Sequence, residues 1–349
     1  MILYSSYRSI MSTKSILMMV STYYGVGGNT TVINKLCQNL QKMGYETAIG
    51  AFNFHQNPPI GIRKIKLQKR IDFIPKKLNN EFDIIHCHQT LAIYYSLFSN
   101  KPFIVHYHGA SDTLQKINLK LAMNLCKRKI SKIISVSKAG LKQLEEILGN
   151  IEAEIVYNGV ETNFFKPDLP QNYKKGDPQL LFVGNLYHKK NVNFLINLIP
   201  NIIKEFPKIY FQIIGSGQEH ESLNNLIKQK NLEKFVELIG RVSDEELRLR
   251  YASADIYISA STFEVHPVPV MEAMASGLPL ILSDISPHKE MIELSGAGKT
   301  FSLKNKEIVT IIKEILEKRK YFSSNARKFA IQYDWENVSR KISKIYESL

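Results

Sequence analysis

Residues 261–279 have the sequence STFEVHPVPVMEAMASGLP, and this stretch decides how the chain is interpreted. It follows the apolar run 256–258, which is typical of a buried strand. Residues 271–276 are good helix formers, Gly277 suits the position after a helix, and Pro279 prevents continuation. The pattern therefore predicts a strand, a loop and a short helix.

Two carboxylates, Glu264 and Glu272, fall in this predicted loop and helix. A carboxylate accepts strong hydrogen bonds from sugar or ribose hydroxyls, so the pair is a candidate for recognising either. Two carboxylates can also supply the acid and the base of a hydrolytic reaction. A third interpretation is that Glu272 merely faces solvent. The residues alone leave all three open.

Short apolar runs alternate with helix-period segments along the whole chain, which predicts parallel sheets covered by helices. The predicted strands are 15–20, 46–51, 83–88, 102–108 and 132–136, then 179–183, 209–214, 236–239, 256–258 and 279–282. The polar segment 168–178 separates the two series, and its prolines and glycine indicate a linker. We predict an α/β protein of two Rossmann-like, doubly wound domains whose strand ends face a central cleft.

Length and composition agree with two globular domains and a cytoplasmic location. A chain of 349 residues exceeds the size that one hydrophobic core usually serves. Three scattered cysteines, Cys37, Cys87 and Cys126, do not suggest a disulfide framework. No apolar run reaches the ~20 residues that span a bilayer, and 16–20 is shorter than a signal-peptide core of roughly 7–15 residues. Translation could start at Met1 or Met11.

Positive charge is concentrated in the first half of the chain. The formal net charge is +14, and residues 1–170 contain 21 Lys and Arg against 11 Asp and Glu. Such an excess suits nucleic acid, anionic lipid or phosphorylated ligands, and it also occurs on ordinary basic surfaces. Because no aromatic-rich strand or basic recognition helix accompanies the charge, we do not expect a nucleic-acid partner.

Two basic stretches, 63–70 and 116–132, are candidates for contact with an anionic membrane. Around the second, apolar residues recur at near-helical spacing: Leu114, Ile117, Leu121 and Leu125. Basic residues lie off that stripe: Lys116, Lys120, Lys127, Arg128 and Lys129. An interfacial helix has this pattern, and so has an amphipathic helix packed on a sheet. We expect a protein peripheral at the inner face of a membrane, where it reaches a lipid-linked acceptor.

A glycine-rich turn, Gly25-x-Gly27-Gly28-Asn29, separates the first predicted strand from a helix predicted over 29–43. Glycine lets backbone approach a ligand, and the N–H groups of a helix N-terminus favour an anion. The turn lacks the full Gly-x-Gly-x-x-Gly pattern and the Lys-Ser/Thr of a P-loop. A plain tight turn is therefore equally compatible.

Four histidines lie at the ends of two neighbouring predicted strands: His86, His88, His106 and His108. Within each pair the side chains share a face, because the strand period is two. A zinc site is one interpretation, although four-ligand sites with this spacing are rare, and core or rim histidines are the other. We expect no metal, and we place His108, the last residue of its strand, in the cleft.

The turn after strand 179–183 carries two adjacent lysines, Lys189 and Lys190, at a predicted helix start. Cationic side chains and the helix N-terminus together are suited to a diphosphate. The alternative is a solvated basic turn.

Together these segments resemble the family-4 retaining glycosyltransferases of the GT-B fold, over nearly the whole chain. The most specific match is Glu264-x7-Glu272 followed by Ala-Met-Ala-x-Gly-x-Pro. Other matches follow in the expected order: Gly27-Gly28, His108-Gly109, Ser135-Val136-Ser137, Asn158-Gly159-Val160, Gly184-x5-Lys190, Ile214-Gly215-Ser216-Gly217 and Trp335-Glu336. The resemblance implies a first, acceptor-side domain over 1–167, completed by a final helix over about 335–349, and a nucleotide-sugar domain over 168–334.

The resemblance also implies three catalytic residues. His108 is similar to the histidine near the reacting carbon, Lys190 to the lysine that neutralises the diphosphate leaving group, and Glu264 to the glutamate that binds the donor sugar. Glu272 is similar to the glutamate that binds ribose. The rest of the implied nucleotide-sugar site is Gly27, Gly28, Asn185, Lys189, Gly215 and His266.

Three positions depart from the family pattern. Asn185 replaces the usual arginine, so either Lys189 substitutes for it or the charge comes from elsewhere. Asn191 replaces the glycine that usually follows the lysine. Val265-His266-Pro267 replaces Gly-Phe-Gly, and proline has no N–H to offer a ligand.

We therefore predict a retaining glycosyltransferase that moves a sugar from a nucleotide-diphosphate donor to a glycan, glycolipid or lipid-linked acceptor, without a metal or other cofactor. The main alternative is a sugar-phosphate phosphorylase or synthase on the same fold. A sugar- or nucleotide-binding subunit whose catalytic site has lapsed is a further alternative.

Overall fold

The computed structural model describes residues 14–25, 27–67, 75–304 and 307–349, which group into two compact units. Unit 1 comprises the described residues of Met1–Val136, Gln143–Val156 and Ser339–Leu349, and unit 2 those of Ser137–Lys142 and Tyr157–Val338. Residues 157–167, which the sequence analysis assigned to the first domain, thus group with unit 2. The two possible start methionines and residues 68–70 of the first basic stretch lie outside the described residues.

Unit 1 is a parallel sheet with helices. Its described strands are β1 (Ser15–Tyr23), β2 (Glu46–Phe54), β3 (Arg63–Lys66), β4 (Ile84–Cys87), β5 (Phe103–Tyr107), β6 (Lys132–Ser135) and β7 (Glu154–Ile155). Its helices are α1 (Gly28–Lys42), α2 (Pro75–Glu81), α3 (Thr113–Cys126) and α4 (Lys138–Leu148), of which α4 begins in unit 2, with 3-10 turns at Thr90–Phe98 and Lys127–Lys129.

The strand order of the first sheet is β3-β2-β1-β4-β5-β6-β7, with every pairing parallel. β1 lies inside the sheet, where Leu17 pairs with both Ala48 and Ile85. Its residues 16–20 are all buried, as expected for a parallel strand covered on both faces. The order reverses between β1 and β4, so the loops after these two strands flank the switch point.

Unit 2 repeats this architecture. Its described strands are β8 (Gln179–Val183), β9 (Tyr210–Ile214), β10 (Val236–Gly240), β11 (Ile256–Ser259), β12 (Leu280–Ser283) and β13 (Gly298–Phe301). Its helices are α5 (Val192–Glu205), α6 (His220–Gln229), α7 (Asp244–Ser253), α8 (Val268–Ala275), α9 (Ser286–Ser295), α10 (Ile308–Glu317) and α11 (Arg319–Gln332). The final helix, α12 (Trp335–Glu347), begins in unit 2 and ends in unit 1.

The second sheet has the order β10-β9-β8-β11-β12-β13, again with parallel pairings. Alternate residues of its strands enter two hydrophobic cores. Phe182 and Ile213 belong to one, while Leu181 and Ile214 belong to the other. The strand order reverses between β8 and β11. The α/β class and the two parallel sheets predicted from the sequence are confirmed.

Three short strands, β3, β7 and β13, were not predicted. β3 occupies the first half of the basic stretch 63–70 and is an edge strand paired with β2. Charged side chains suit such an edge because they discourage pairing with another chain. Arg63 forms an ion pair with Glu81 at 3.3 Å, and Lys64 Nζ donates to Asn57 at 2.9 Å. Half of this stretch therefore serves the sheet edge.

The segment predicted as a linker, 168–178, packs on unit 2. The Tyr173 N–H donates to Ser253 Oγ at 3.1 Å, and Lys175 contacts Glu237 at 3.0 Å. Prolines and polar residues make a packed loop and a free linker look alike in sequence. The three cysteines are free and buried. In the described part of the chain, no helix combines the length and apolarity needed to cross a bilayer.

Candidate active site

Two loops of unit 2 follow the strands at which the second sheet reverses its order. One follows β8 and contains Lys189 and Lys190, and the other follows β11 and contains Glu264. The Thr262 N–H donates to the Lys189 carbonyl at 2.8 Å, which ties the loops together. Ligands of doubly wound sheets bind at such switch points.

Backbone geometry before α5 positions Lys190. The residues His188–Lys190 form a 3-10 turn, and Asn191 follows with a positive φ of 52° before α5 begins at Val192. Glycine and asparagine are the residues that most readily adopt this left-handed conformation. Asn191 can therefore stand where the family usually has glycine. Lys190 lies at the end of this 3-10 turn, two residues before α5.

Lys190 and Glu264 form an ion pair between Nζ and Oε1. The two side chains are only 15% and 12% exposed. Burial alone would raise the pKa of Glu264, but the nearby Lys190 ammonium and His288 lower this pKa below its ordinary value. Glu264 is therefore ionised at neutral pH. Lys190 and Glu264, the two residues of unit 2 expected to be catalytic, thus contact each other.

His288 on α9 interacts electrostatically with Glu264, although the sequence did not indicate His288 as a site residue. The imidazole is fully buried, with Nδ1 2.9 Å from the Ser283 hydroxyl. Its Nε2 has no hydrogen-bond partner among the described residues. Burial lowers the pKa of His288 to about 4, partly offset by Glu264, so the ring is neutral at pH 7. A lone histidine 24 positions after the glutamate gives no local sequence signal.

Glu272 lies on α8 and is partly buried. The Tyr251 hydroxyl lies 2.9 Å from Glu272 Oε2 and donates to it. Tyr251 is fully buried, and burial together with the Glu272 carboxylate raises its pKa well above the ordinary value. The interpretation that Glu272 merely faces solvent is therefore wrong, because a buried hydroxyl holds one of its oxygens.

α8 begins at Val268, immediately after Pro267, which is three residues earlier than predicted. Its end agrees with the prediction, because Gly277 has a φ of 73°. His266 is 5% exposed, and its carbonyl accepts from Asn158 Nδ2 at 2.9 Å. Burial lowers the pKa of His266 to about 3. The His266 ring is thus packed inside unit 2 and is neutral at pH 7.

Glycines bring the loops after β8 and β9 into backbone contact. Gly215 has a φ of 141°, and a Cβ at this position would lie 1.8 Å from the Gly184 carbonyl oxygen. A Cβ at Gly217 would lie 2.4 Å from the Leu186 carbonyl oxygen. Only glycine permits such an approach. Gly215 therefore shapes the loop that carries Asn185 and Lys190.

Two other cations of unit 2 are candidates for the positive charge that Asn185 does not supply. Lys189 is exposed, and its Nζ lies 5.6 Å from the centroid of the Phe263 ring, next to Glu264. Arg241, which the sequence analysis did not consider, donates from Nε to Ser216 Oγ at 2.8 Å. Both candidates for the second positive charge thus belong to loops at the ends of unit 2 strands.

In unit 1, the glycine turn leads directly into α1. Gly27 occupies the N-cap position with a φ of 96°, and α1 begins at Gly28. Gly27 has no side chain with which to cap this end, and the first turn contains no acidic residue. The N–H groups of the first turn therefore remain suited to an anion, as the sequence predicts.

The four histidines of unit 1 form a stacked group. The His88 and His106 rings lie 5.1 Å apart, and His106 and His108 lie 4.5 Å apart. His88 Nδ1 and His108 Nε2 share a hydrogen bond at 2.9 Å, and His86 Nδ1 bonds the Tyr346 hydroxyl at 2.6 Å. β5 ends at Tyr107, so His108 follows the strand and is partly exposed. The group fixes the orientation of His108.

Burial keeps these rings neutral. It lowers the pKa of His86, His88 and His106 well below the ordinary value, and that of His108 to about 3. Among the described residues, one ring nitrogen each from His86, His88 and His106 lie within 4.8 Å of one another, which makes these three a possible metal group. Both nitrogens of His106 are buried without a hydrogen-bond partner in the described structure. The core and zinc interpretations both remain compatible with this arrangement.

Two family models together match most of the chain. The family model described as glycosyltransferase family 4 matches residues 26–164, and the model described as glycosyl transferases group 1 matches residues 165–329. Phosphatidyl-myo-inositol mannosyltransferase of Mycobacterium leprae is 25% identical over 78% of this chain and 75% of its own. Alpha-monoglucosyldiacylglycerol synthase of Acholeplasma laidlawii is 22% identical over 81% of this chain and 83% of its own.

Solved structures show the same fold. Anabaena HepE in complex with UDP and glucose superposes with a TM-score of 0.81 at 20% identity, covering 96% of this chain and 100% of that one. The two parallel α/β sheets and this structural match show the GT-B fold, and the family models show a glycosyltransferase. The chain belongs to the family-4 glycosyltransferases.

Proposed function

We propose that the protein transfers a sugar from a nucleoside-diphosphate donor to an acceptor with retention of anomeric configuration. The observation that carries this proposal is the buried Lys190–Glu264 ion pair at the switch point of the second sheet. A lapsed site has no need to keep a lysine and a glutamate paired out of water, because burying two charges is costly.

Different residues of unit 2 bind different parts of the donor. The Lys190 ammonium stabilises the negative charge that develops on the diphosphate as the bond to the anomeric carbon breaks. Glu264 is ionised and accepts hydrogen bonds from the sugar hydroxyls, and Glu272, held by Tyr251, accepts from ribose. Lys189 or Arg241 supplies the second positive charge, and Gly215 keeps the loop of Lys190 in place.

His108 and the glycine turn serve the transferred sugar. His108 is neutral, and its Nε2 is occupied by His88, so its Nδ1 is the atom free to bond a sugar hydroxyl or the incoming acceptor. The backbone at Gly27 and Gly28 approaches the donor phosphates or sugar, helped by the N-terminus of α1.

The proposed acceptor is lipid-linked and lies at an anionic membrane surface on the cytoplasmic side. Two relatives are named for the transfer of mannose to phosphatidyl-myo-inositol and for the synthesis of a glucosyldiacylglycerol. The concentration of positive charge in residues 1–170 suits such a surface. A soluble glycan is the acceptor that this proposal excludes.

A panel of UDP, GDP, ADP and their sugars tests the donor. A ligand that binds only the folded protein raises the free energy of unfolding by RT ln(1 + [L]/Kd), and the unfolding temperature rises with it. With the donor found, proton NMR of the first product gives its anomeric configuration, and inversion would refute retention. Turnover with a hexose 1-phosphate and none with any nucleotide sugar would favour a phosphorylase or synthase.

Replacing Lys190 with alanine is expected to lower kcat by roughly 10²–10³, because loss of one contact to a developing oxyanion typically costs that much. Steady-state kinetics measure the effect, with circular dichroism to confirm folding. Lys189→Ala and Arg241→Ala are the matched comparisons, and the one that supplies the second charge should raise KM for the donor. A harmless Lys190→Ala beside a crippling Lys189→Ala would place the leaving-group cation one residue earlier.

Chelators are expected to leave the rate of transfer within about twofold of its value without them, since lysine and helix dipole stabilise the leaving group. The assay compares EDTA-treated enzyme with and without added magnesium or manganese. Metal analysis of the same sample shows whether the protein still holds a metal, so that a metal bound by the histidine group of unit 1 is not mistaken for a catalytic one. Complete loss of activity that magnesium restores would contradict the mechanism.

A further inference from the structure

Helix α3 has two apolar faces, of which one is turned away from the core. Leu119, Ala122 and Met123 are buried in the hydrophobic core of unit 1. A second set, here called the α3 stripe, is exposed to solvent: Leu114 (67% exposed), Ile117 (50%), Leu121 (57%) and Leu125 (62%). An ordinary amphipathic helix needs only the first set, so the stripe has no role in packing α3 on the sheet.

Helical geometry separates the two faces. At 100° per residue, the centre of the stripe lies roughly 145° around the helix from the centre of the buried face. The stripe is therefore not the rim of the core. Four large apolar side chains on one exposed face form the kind of patch that marks an interaction site.

Positive charge surrounds the stripe. Residues 113–129 contain no Asp or Glu and five basic residues: Lys116, Lys120, Lys127, Arg128 and Lys129. All five are exposed, and none forms an ion pair with an acidic residue that the structure describes. Three of them form the 3-10 turn at the C-terminal end of α3. Every charged side chain within residues 113–129 is thus a cation.

We propose that α3 docks unit 1 on an anionic lipid bilayer, with the α3 stripe inserted at the boundary between headgroups and acyl chains. The basic residues then contact lipid phosphates, which is the arrangement of an interfacial amphipathic helix. The purpose of this docking, which is to reach a lipid-linked acceptor, rests on the proposed function. Binding itself requires no turnover.

Charge complementarity favours a bilayer over other occupants. Two copies of the chain that paired through α3 would bring five cations against five cations, which is costly. The other basic stretch is a weaker candidate, because Arg63 and Lys64 already contact Glu81 and Asn57. Arg63 and Lys64 belong to an edge strand, whereas α3 carries both apolar and basic groups on its exposed faces.

Vesicle sedimentation of the full chain tests the charge requirement. We expect binding to vesicles of about 30% phosphatidylglycerol in phosphatidylcholine at low salt, with steep loss by roughly 0.3 M salt and none to phosphatidylcholine alone. The triple change Lys127→Gln, Arg128→Gln, Lys129→Gln should weaken binding roughly 100-fold, at about fivefold per residue. The matched control is Lys228→Gln, Lys230→Gln, Lys234→Gln, which removes three exposed lysines of unit 2 and should have little effect.

The stripe is tested separately. Leu121→Gln and Leu125→Gln should each weaken vesicle binding about tenfold, while Ile331→Gln, at an exposed position of α11, should not. In Leu121→Trp, the added fluorescence should shift to the blue on anionic vesicles only, because buried Trp335 contributes a constant signal.

Three results would overturn the proposal: no binding of the wild type to anionic vesicles, vesicle binding that the stripe variants leave unchanged, or a dimer in solution that those variants convert to monomer. Transfer to a water-soluble acceptor analogue should be unaffected in all of these variants. If the wild type binds vesicles but transfers no sugar to the analogue, the proposed function is contradicted and the docking surface is not.

Discussion

Glu264→Gln is expected to lower kcat/KM for sugar transfer by about 10³-fold or more, while the affinity for the free nucleoside diphosphate stays within about threefold. The carboxylate is ionised because Lys190 lies beside it, and glutamine keeps its shape while removing the charge. The decrease in kcat/KM comes from the weaker contact with the sugar and from the weaker stabilisation of the charge that develops in the transition state. The free nucleotide lacks the sugar, so its binding is nearly unchanged.

Glu272→Gln should have the opposite signature. Its carboxylate oxygen already accepts from the buried Tyr251 hydroxyl, and we assign the remaining capacity to ribose. Loss of a charged acceptor should weaken nucleotide binding about tenfold, with a smaller effect on kcat. Calorimetric titration with the nucleoside diphosphate and steady-state kinetics separate the two variants.

Glu293→Gln provides the matched control, because this glutamate is exposed on α9, the helix that also carries His288. It should alter neither quantity. Turnover within a few-fold of wild type in both Glu264→Gln and Glu272→Gln would show that the assignment of this motif is wrong.

The local features of the candidate site were predictable from sequence. The end of α8 required only that Gly277 follow helix-forming residues, and its φ of 73° agrees. Ser137 directly precedes α4, and its hydroxyl accepts from the Gly140 N–H at 2.9 Å, as expected for a serine before a helix. Both features depend on residues a few positions apart, which capping rules describe.

The contacts that complete the site were not predictable in this way. His288 and Tyr251 lie 24 and 21 positions from the glutamates they interact with, and only the packing of α9 and α7 in the folded unit 2 brings them close. The closeness of Gly215 to Gly184 depends likewise on the pairing of β8 with β9. Short strands such as β7, with two residues, are too brief for a periodic pattern.

The exposure of the α3 stripe shows a further limit. Leu114 and Leu121 are compatible with a packed helix as well as with an interfacial one, since helical spacing says nothing about which face meets the core. The burial of Leu119 and Met123 shows which face meets the core and that the α3 stripe lies outside it. A helix with two apolar stripes is therefore ambiguous in sequence and clear in structure.

Acid is expected to destabilise the protein steeply below pH 6.5. Burial holds the pKa of His86, His88 and His106 well below 6.5 in the folded state, whereas in the unfolded chain they bind protons near pH 6.5. As the pH falls below 6.5, the unfolded state therefore binds more protons, and stability is lost until the folded-state pKa values are reached. Each histidine contributes about 1.4 kcal/mol per pH unit, so these three together contribute about 4 kcal/mol per pH unit.

Two buried histidines of unit 2 act in the same direction. The pKa values of His266 and His288 are about 3 and about 4. Their stabilising neutrality is thus lost between pH 6.5 and those values. Because domains are stable by about 5–15 kcal/mol, unfolding is expected near pH 5. Urea unfolding at several pH values between 7.5 and 5 measures the slope, and a flat profile would contradict the buried, neutral state of these rings.

His106→Phe should stabilise the protein at pH 7.5 by about 1–3 kcal/mol, which is unusual for a core substitution. Both ring nitrogens of His106 are buried and unpaired among the described residues, so phenylalanine removes an unsatisfied polar group and keeps the aromatic stack. The gain should grow by about 1.4 kcal/mol for each pH unit below 6.5, because one titrating group is gone.

His106→Leu guards against a steric cost of the larger phenylalanine ring, and His55→Phe changes an exposed histidine as the control. If His86, His88 and His106 instead hold zinc, both His106 variants lose the metal, and with it the free energy that a bound ion adds to folding. Destabilisation by both variants, together with zinc in the wild type and none in the variants, would establish the metal interpretation. Stabilisation with no zinc in either would establish a neutral histidine core that positions His108.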